Sequence, residues 1–210
     1  MIRVLIADDH SIVREGLKQI VSGTSEIEVK GEAGTGQEVL DMISGADFDV
    51  VLLDISMPGR GGLEVLDELK RMQPSVPVLV LSMHPEEQYA VRVLRSGAAG
   101  YLTKESAPNE LIGAIRKVAD GGKYVSSTLA DKLASLIETD YERKPHETLS
   151  NREFQTLCLI ASGKTISQIA EELSLSVKTI STYRERILLK MDLKSNSELT
   201  YYAIKNNLVL

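Results

Sequence analysis

The sequence predicts an α/β fold, a five-stranded parallel doubly wound sheet, followed by a second, smaller all-α unit. Two observations carry this expectation. Over the first 120 residues short β-rich runs alternate with longer segments of helical period, the pattern of βαβ units with helices on both faces of the sheet. From Leu149 onward there is no strand pattern, and signals for helix starts recur instead.

Taken in order, the strands are "IRVLIAD", "IEVKGEA", "DVVLLD", "VPVLVLS" and "AGYLT". Between them Thr35 with Glu38 fits a helix-starting capping box, and Gly45 and Gly97 fit helix stops. Five such strands predict a flavodoxin-like sheet of order 2-1-3-4-5 within a domain spanning 1–122. After "DGGKY", Leu129, Leu133, Leu136 and Ile137 make one apolar stripe, which predicts a connecting helix near 127–138. The polar "ETDYERKPH" that follows reads as a linker, so 123–147 is the connection. In 148–210, Ser150 with Glu153, Thr165 with Gln168 and Ser195 with Glu198 have capping-box spacing, and Ser176 is a further N-cap. Four helices are expected.

Composition narrows the class. Of 210 residues, 43% are hydrophobic and 26% charged, as in ordinary soluble domains with room for a real core. Runs such as "VPVLVL" fall far short of the ~18 residues of a membrane span, so no membrane association is expected. The first strand begins at Ile2, which leaves no space for a signal peptide. The single cysteine, Cys158, cannot form an internal disulfide, and the cytoplasm is the expected compartment. Charge is split: residues 1–120 carry 12 Lys/Arg against 19 Asp/Glu, whereas 148–210 carry 8 against 6. That asymmetry points to a nucleic-acid partner for the C-terminal part.

The third strand raises a chemical question, because "DVVLLD" ends a buried run on a carboxylate, Asp54. Ligands of open α/β sheets bind at the carboxyl ends of strands where strand order reverses. Strand 1 ends there in Asp8 and Asp9, strand 3 in Asp54, strand 4 in Ser82 and strand 5 in Lys104. Three converging carboxylates repel one another unless a cation joins them, and oxygen ligands suit Mg²⁺. A carboxylate nucleophile, a hard cation, an ammonium and a hydroxyl form a phosphoryl-accepting site. Singly, each residue has a structural explanation, as a turn cap or a surface charge; one polar residue at the end of each of four strands does not. His84, two residues after Ser82, stands at the rim of this site and can change charge near neutral pH.

These residues resemble the receiver domain of two-component response regulators. "ADDH", "LLDISMPGRGG", "LS" and "GYLTK" match its acidic pair, phosphoacceptor strand and loop, hydroxyl position and aromatic-plus-lysine strand. The resemblance implies that Asp54 is phosphorylated, with Lys104 and Ser82 contacting the phosphoryl group and Tyr101 acting as an aromatic switch that moves inward. It implies Mg²⁺ on Asp9, Asp54 and the carbonyl of Ser56, with Asp8 acting through water.

The C-terminal segment has helices joined by the short turn "LSLS", the layout of a helix-turn-helix. Leu157, Ile160, Ile169, Ala170 and Leu173 supply its apolar faces. On the recognition helix 177–191, Ile180, Ile187, Leu188 and Met191 fall on one side. The opposite side presents Lys178, Thr182, Glu185, Arg186 and Leu189, with Ser181 on its flank. Arg184 falls toward the core and is expected in an ion pair with Glu153 or Glu171. "LSNRE", "GKTISQIAEELSLSVKTISTYRERILLKM" and "NSELTYYAI" resemble the LuxR-type helix-turn-helix, and the combination is that of NarL/FixJ-type response regulators. Departures are Ser181, where the family tends to carry a basic residue, and the acid Glu185.

The resemblance implies a transcription factor, not an enzyme, phosphorylated by a sensor histidine kinase. It implies binding to double-stranded promoter DNA as a homodimer on phosphorylation, with Leu199, Tyr202 and Ala203 of the last helix as a contact face. Two other readings stand beside it. A haloacid-dehalogenase-type enzyme also uses an aspartyl nucleophile, but needs an Asp-x-Asp motif where this chain has Ser56. A constitutive DNA-binding protein with a silent receiver would be expected to have lost acids or the lysine, and none is missing.

Overall fold

A computed structural model describes residues 1–138 and 144–209. The chain forms two compact units, Met1–Leu133 and Ala134–Leu210.

In the first unit β1 (Ile2–Ala7), β2 (Ile27–Ala33), β3 (Val50–Asp54), β4 (Val78–Ser82) and β5 (Gly100–Thr103) form one parallel sheet in the expected order, β2-β1-β3-β4-β5. The helices that alternate with them are α1 (Ser11–Val21), α2 (Gly36–Gly45), α3 (Gly62–Met72), α4 (Glu86–Arg95) and α5 (Ala107–Ala119). All residues of β3 and β4 are buried, as expected of central strands covered on both faces. Val4, Ile6, Val50, Leu52, Leu79 and Leu81 pack on one side with Leu111, Ile115 and Val118 of α5.

Capping chemistry sets the helix ends. Thr35 accepts the Glu38 N–H, but the Glu38 carboxylate takes the N–H of Gly34 rather than that of Thr35. Gly97, at φ +94°, ends α4 in a Schellman turn: its N–H bonds to Leu94 O and that of Ala98 to Val93 O. Gly45 is instead the last helical residue of α2, with Ala46 as its cap. The connecting helix α6 (Ser127–Glu138) has Leu129 buried; the side chains of Leu136 and Ile137 in its stripe, and residues 139–143 of the "ETDYERKPH" segment, lie outside what is described.

The second unit contains α7 (Asn151–Ala161), α8 (Ile166–Glu172), α9 (Val177–Met191) and α10 (Asn196–Lys205), preceded by a 3₁₀ turn at Pro145–Thr148. Ser150/Glu153 and Thr165/Gln168 are reciprocal capping boxes. At α10 only half the box forms: Ser195 accepts the Glu198 N–H, while Glu198 takes the N–H of Lys194. Leu157, Ile160, Ile169, Ala170, Leu173, Ile180 and Ile187 are buried together with Phe154, Leu199 and Ala203. The end of the expected linker is structured here, with His146 Nδ1 2.8 Å from Tyr202 Oη and Lys144 Nζ donating to Asn206.

The turn between α8 and α9 places Ser174 at φ +53°, a left-handed conformation that costs an L-residue with a side chain about 1 kcal/mol. Ser174→Gly relieves that cost and gives part of it back through a freer unfolded chain, for a net stabilisation of about 0.5 kcal/mol. The expected readout is a higher denaturant midpoint for the C-terminal transition with unchanged slope.

Candidate phosphoryl site and DNA-binding face

Strand register brings the polar residues together. Ala7 pairs with Leu53, Asp54 with Leu81, and Ser82 with Thr103. Asp8, Asp54, Ser82 and Lys104 therefore emerge at nearly one level along the carboxyl edge of the sheet. Asp54 leaves the strand into "ISMPGRGG", a loop that must turn back at once to start α3. Its tightest point is Gly62, where a Cβ would lie 2.1 Å from the Asp54 carbonyl oxygen. Only glycine permits that approach, which accounts for the composition of the segment.

Lys104 is the hub. Its Nζ donates to Asp54 Oδ2 at 2.7 Å and lies 2.6 Å from Asp8 Oδ2, and both carboxylate side chains are 1% exposed. Asp54 Oδ1 accepts the N–H of Ser56 at 3.0 Å, and Asp8 Oδ1 accepts that of His10 at 2.9 Å. Burial pushes the Asp54 carboxyl above its usual range, against the pull of Lys104 and the Ser56 amide. Burial opposes the charge on Lys104 as well, yet the two facing carboxylates hold its ammonium above the usual lysine value.

Two buried oxygens in the site, Asp8 Oδ2 and Asp9 Oδ1, accept no hydrogen bond, although Lys104 Nζ and His10 Nδ1 (3.0 Å from Asp9 Oδ1) stand close. One ligand atom from each of Asp8, Asp9 and His10 lies within 4.8 Å of the others. Closely set, buried carboxylate oxygens that share one ammonium and one imidazole between them fit a hard divalent cation.

Ser82 is buried, and its Oγ accepts the N–H of His84 at 3.0 Å. Tyr101 is already fully inside: its side chain is 0% exposed and its hydroxyl donates to the His84 carbonyl at 2.7 Å. The inward position expected of the switch residue is the one Tyr101 occupies here. The contribution of His84 that the sequence did not indicate is its backbone, while its ring lies 4.9 Å from that of Tyr89.

On the second unit, Lys178, Glu185 and Arg186 are exposed on α9, and Leu189 is 83% exposed. Ser181 and Thr182 are half-buried, their hydroxyls donating to the carbonyls of Val177 and Lys178. Arg184 makes neither expected ion pair; its Nε donates to Asn196 on α10. Glu153 is held instead by Lys190, 2.6 Å away, and by the Ser150 N–H. Burial pushes the Glu153 carboxyl up, but those two donors outweigh it and hold it below the usual carboxylate range. The α10 contact face also needs correction. Leu199 and Ala203 are 0% exposed within their own unit, and Tyr201 and Ile204 face outward. Leu199 and Ala203 turn inward because α10 packs on α7 through that side.

Comparison with known proteins settles the family. Residues 4–116 match the response regulator receiver domain, and residues 147–203 match the bacterial regulatory proteins of the luxR family. The chain is a response regulator. It is 40% identical over 209 residues to the response regulator UvrY of Escherichia coli K12, covering 99% of this chain and 96% of that one. It is 37% identical over 210 residues to the response regulator GacA of Pseudomonas aeruginosa, covering 100% and 98%. Among solved structures it resembles RcsB of Salmonella enterica serovar Typhimurium, bound to promoter rprA with the phosphomimetic BeF3⁻. That match has a TM-score of 0.66 and 27% identity, over 96% of this chain and 97% of that one. The response regulator therefore joins a receiver to a LuxR-type DNA-binding domain, as NarL/FixJ-type transcription regulators of two-component systems do. No helix among the described residues is long and apolar enough to cross a membrane.

Proposed function

We propose that this response regulator is switched by phosphorylation of Asp54. The observation that carries the reading is Lys104 bridging Asp54 and Asp8 at 2.7 and 2.6 Å, with Ser82 at the end of the adjoining strand. A sensor histidine kinase is the donor: an Asp54 carboxylate oxygen bonds to phosphorus as the phosphorus–nitrogen bond of a phosphohistidine breaks. Lys104 and the Ser82 hydroxyl hold the transferred oxygens, and Tyr101 registers the state through the His84 carbonyl. Asp8, Asp9, Asp54 and the Ser56 carbonyl are the residues to hold Mg²⁺, which supplies positive charge against the repulsion between phosphate and carboxylates.

The receiver spans 1–122, the connection 123–147 and the DNA-binding domain 148–210. Lys178 and Arg186 contact phosphates of double-stranded promoter DNA, while Ser181, Thr182 and Glu185 face its bases. A homodimer forms on phosphorylation, in the cytoplasm; among the solved structures this chain resembles is that of two RcsB dimers bound to two parallel DNAs. The outward α10 side chains Tyr201 and Ile204 are a better dimer face than the buried Leu199 and Ala203.

The test is promoter affinity of the intact chain with and without beryllofluoride. Affinity is expected to rise with the mimic and to stay unchanged in Asp54→Asn. Equal wild-type affinities in the two conditions would return the constitutive reading.

A further inference from the structure

Lys123 and Tyr124, just before α6, lie along the edge of the sheet at β5. Tyr124 forms a parallel bridge to Gly100, its N–H donating to Ala99 O (2.9 Å) and its carbonyl accepting the Tyr101 N–H (3.3 Å). The approach is close enough that a Cβ on Gly100 would lie 2.6 Å from the Tyr124 carbonyl oxygen. The Tyr124 hydroxyl donates to Glu110 of α5, and Lys123 Nζ donates to Ala98 O. Ser126 then does two things at once. Its Oγ accepts the Leu129 N–H at 3.1 Å and its carbonyl accepts that of Ala130, so it caps α6. The same hydroxyl donates to the Glu86 carboxylate at the first turn of α4, 2.5 Å away.

Glu86 follows closely on the groups nearest the phosphoryl site. Two residues earlier, His84 gives its N–H to Ser82 and accepts the Tyr101 hydroxyl. Ser82, His84 and Glu86 thus lie on one short segment, and its last carboxylate grips the start of the connecting helix. We propose that the Ser126–Glu86 hydrogen bond, backed by the Tyr124 bridge, is the latch that passes the state of Asp54 to helix α6. This rests on the phosphorylation switch above and adds residues that reading does not contain. When Ser82 is drawn toward a phosphoryl group the His84–Glu86 segment moves with it, and Ser126 must follow or let go. The two states then differ in free energy at α6, which any transmitted switch requires.

A simple N-cap needs the Ser126 oxygen but not Glu86, and this separates the two roles. Aspartate is as good an N-cap as serine, yet it repels Glu86. The experiment uses the full chain, with beryllofluoride uptake followed by ¹⁹F NMR and promoter affinity measured with and without the mimic. Ser126→Asp, Ser126→Ala and Glu86→Ala are expected to take up beryllofluoride but to lose about fivefold of the wild-type gain in DNA affinity, the coupling one hydrogen bond can carry. Ser126→Thr keeps the gain. Ser126→Asp and Glu86→Ala proteins that retain the full wild-type gain would overturn the latch while leaving the switch intact. A wild-type chain with no gain would sink the switch, and the latch with it.

Discussion

Asp54→Asn is expected to abolish the single phosphoryl group that acetyl phosphate should transfer to the wild-type chain, as read by intact-protein mass. The amide is nearly isosteric, and its single oxygen can keep either the Lys104 contact or that of the Ser56 N–H, so the fold survives while the nucleophile is lost. Neither neighbouring acid substitutes for it. Asp8 is committed to Lys104 and the His10 N–H, and Asp9 lies beside His10, off the Lys104 hub. Chelating divalent cations should remove labelling of the wild-type chain as well, because an incoming phosphate otherwise meets three carboxylates and one ammonium. An Asp54→Asn protein labelled as fully as wild type would place the acceptor elsewhere.

The pocket was legible before any coordinates because its residues are marked twice. Each is polar, and each closes a run of buried β-branched or leucine residues whose alternation with helices dictates the sheet order. With that order, residues 46 positions apart such as Asp8 and Asp54 must meet, and they do. The C-terminal unit was legible where capping boxes and a 15-residue periodic helix defined it. Pattern failed where it was degenerate. Helix α10 carries Leu199, Tyr201, Tyr202, Ala203 and Ile204, apolar on nearly every side, so periodicity could not tell which face packs on α7. The core-facing register of Arg184 suggests a pair with Glu153 or Glu171, but Lys190 on the same helix takes the Glu153 carboxylate and Arg184 meets Asn196 instead. The bond between Ser126 and Glu86 has no periodic signature, since it joins two ordinary polar residues 40 positions apart.

DNA binding by the beryllofluoride-treated chain should be steeply salt-dependent, and the proposed α9 contacts set the expected slope. Of the cations on α9, Lys190 is spent on Glu153, and Arg184 is directed at Asn196. Lys178 and Arg186 are exposed and make no ion pair among the described residues, so they are the ones available to phosphate. A dimer then neutralises about four phosphates through α9, for a slope of about −3.6 in log affinity against log salt. That amounts to a loss of roughly 100-fold between about 50 and 200 mM salt. Lys178→Ala removes one contact per half-site and should flatten the slope by about 2, weakening all sequences alike. Thr182 and Glu185 stand on the same face without positive charge, so Thr182→Ala and Glu185→Ala should change which base pairs are preferred. Neither should flatten the slope, and Glu185→Ala should tighten binding generally, because an acid in the groove is repelled by the flanking phosphate backbone. A slope near zero would mean that α9 does not lie along a phosphate backbone. A Lys178→Ala protein with the wild-type slope would move the electrostatic contact to another helix.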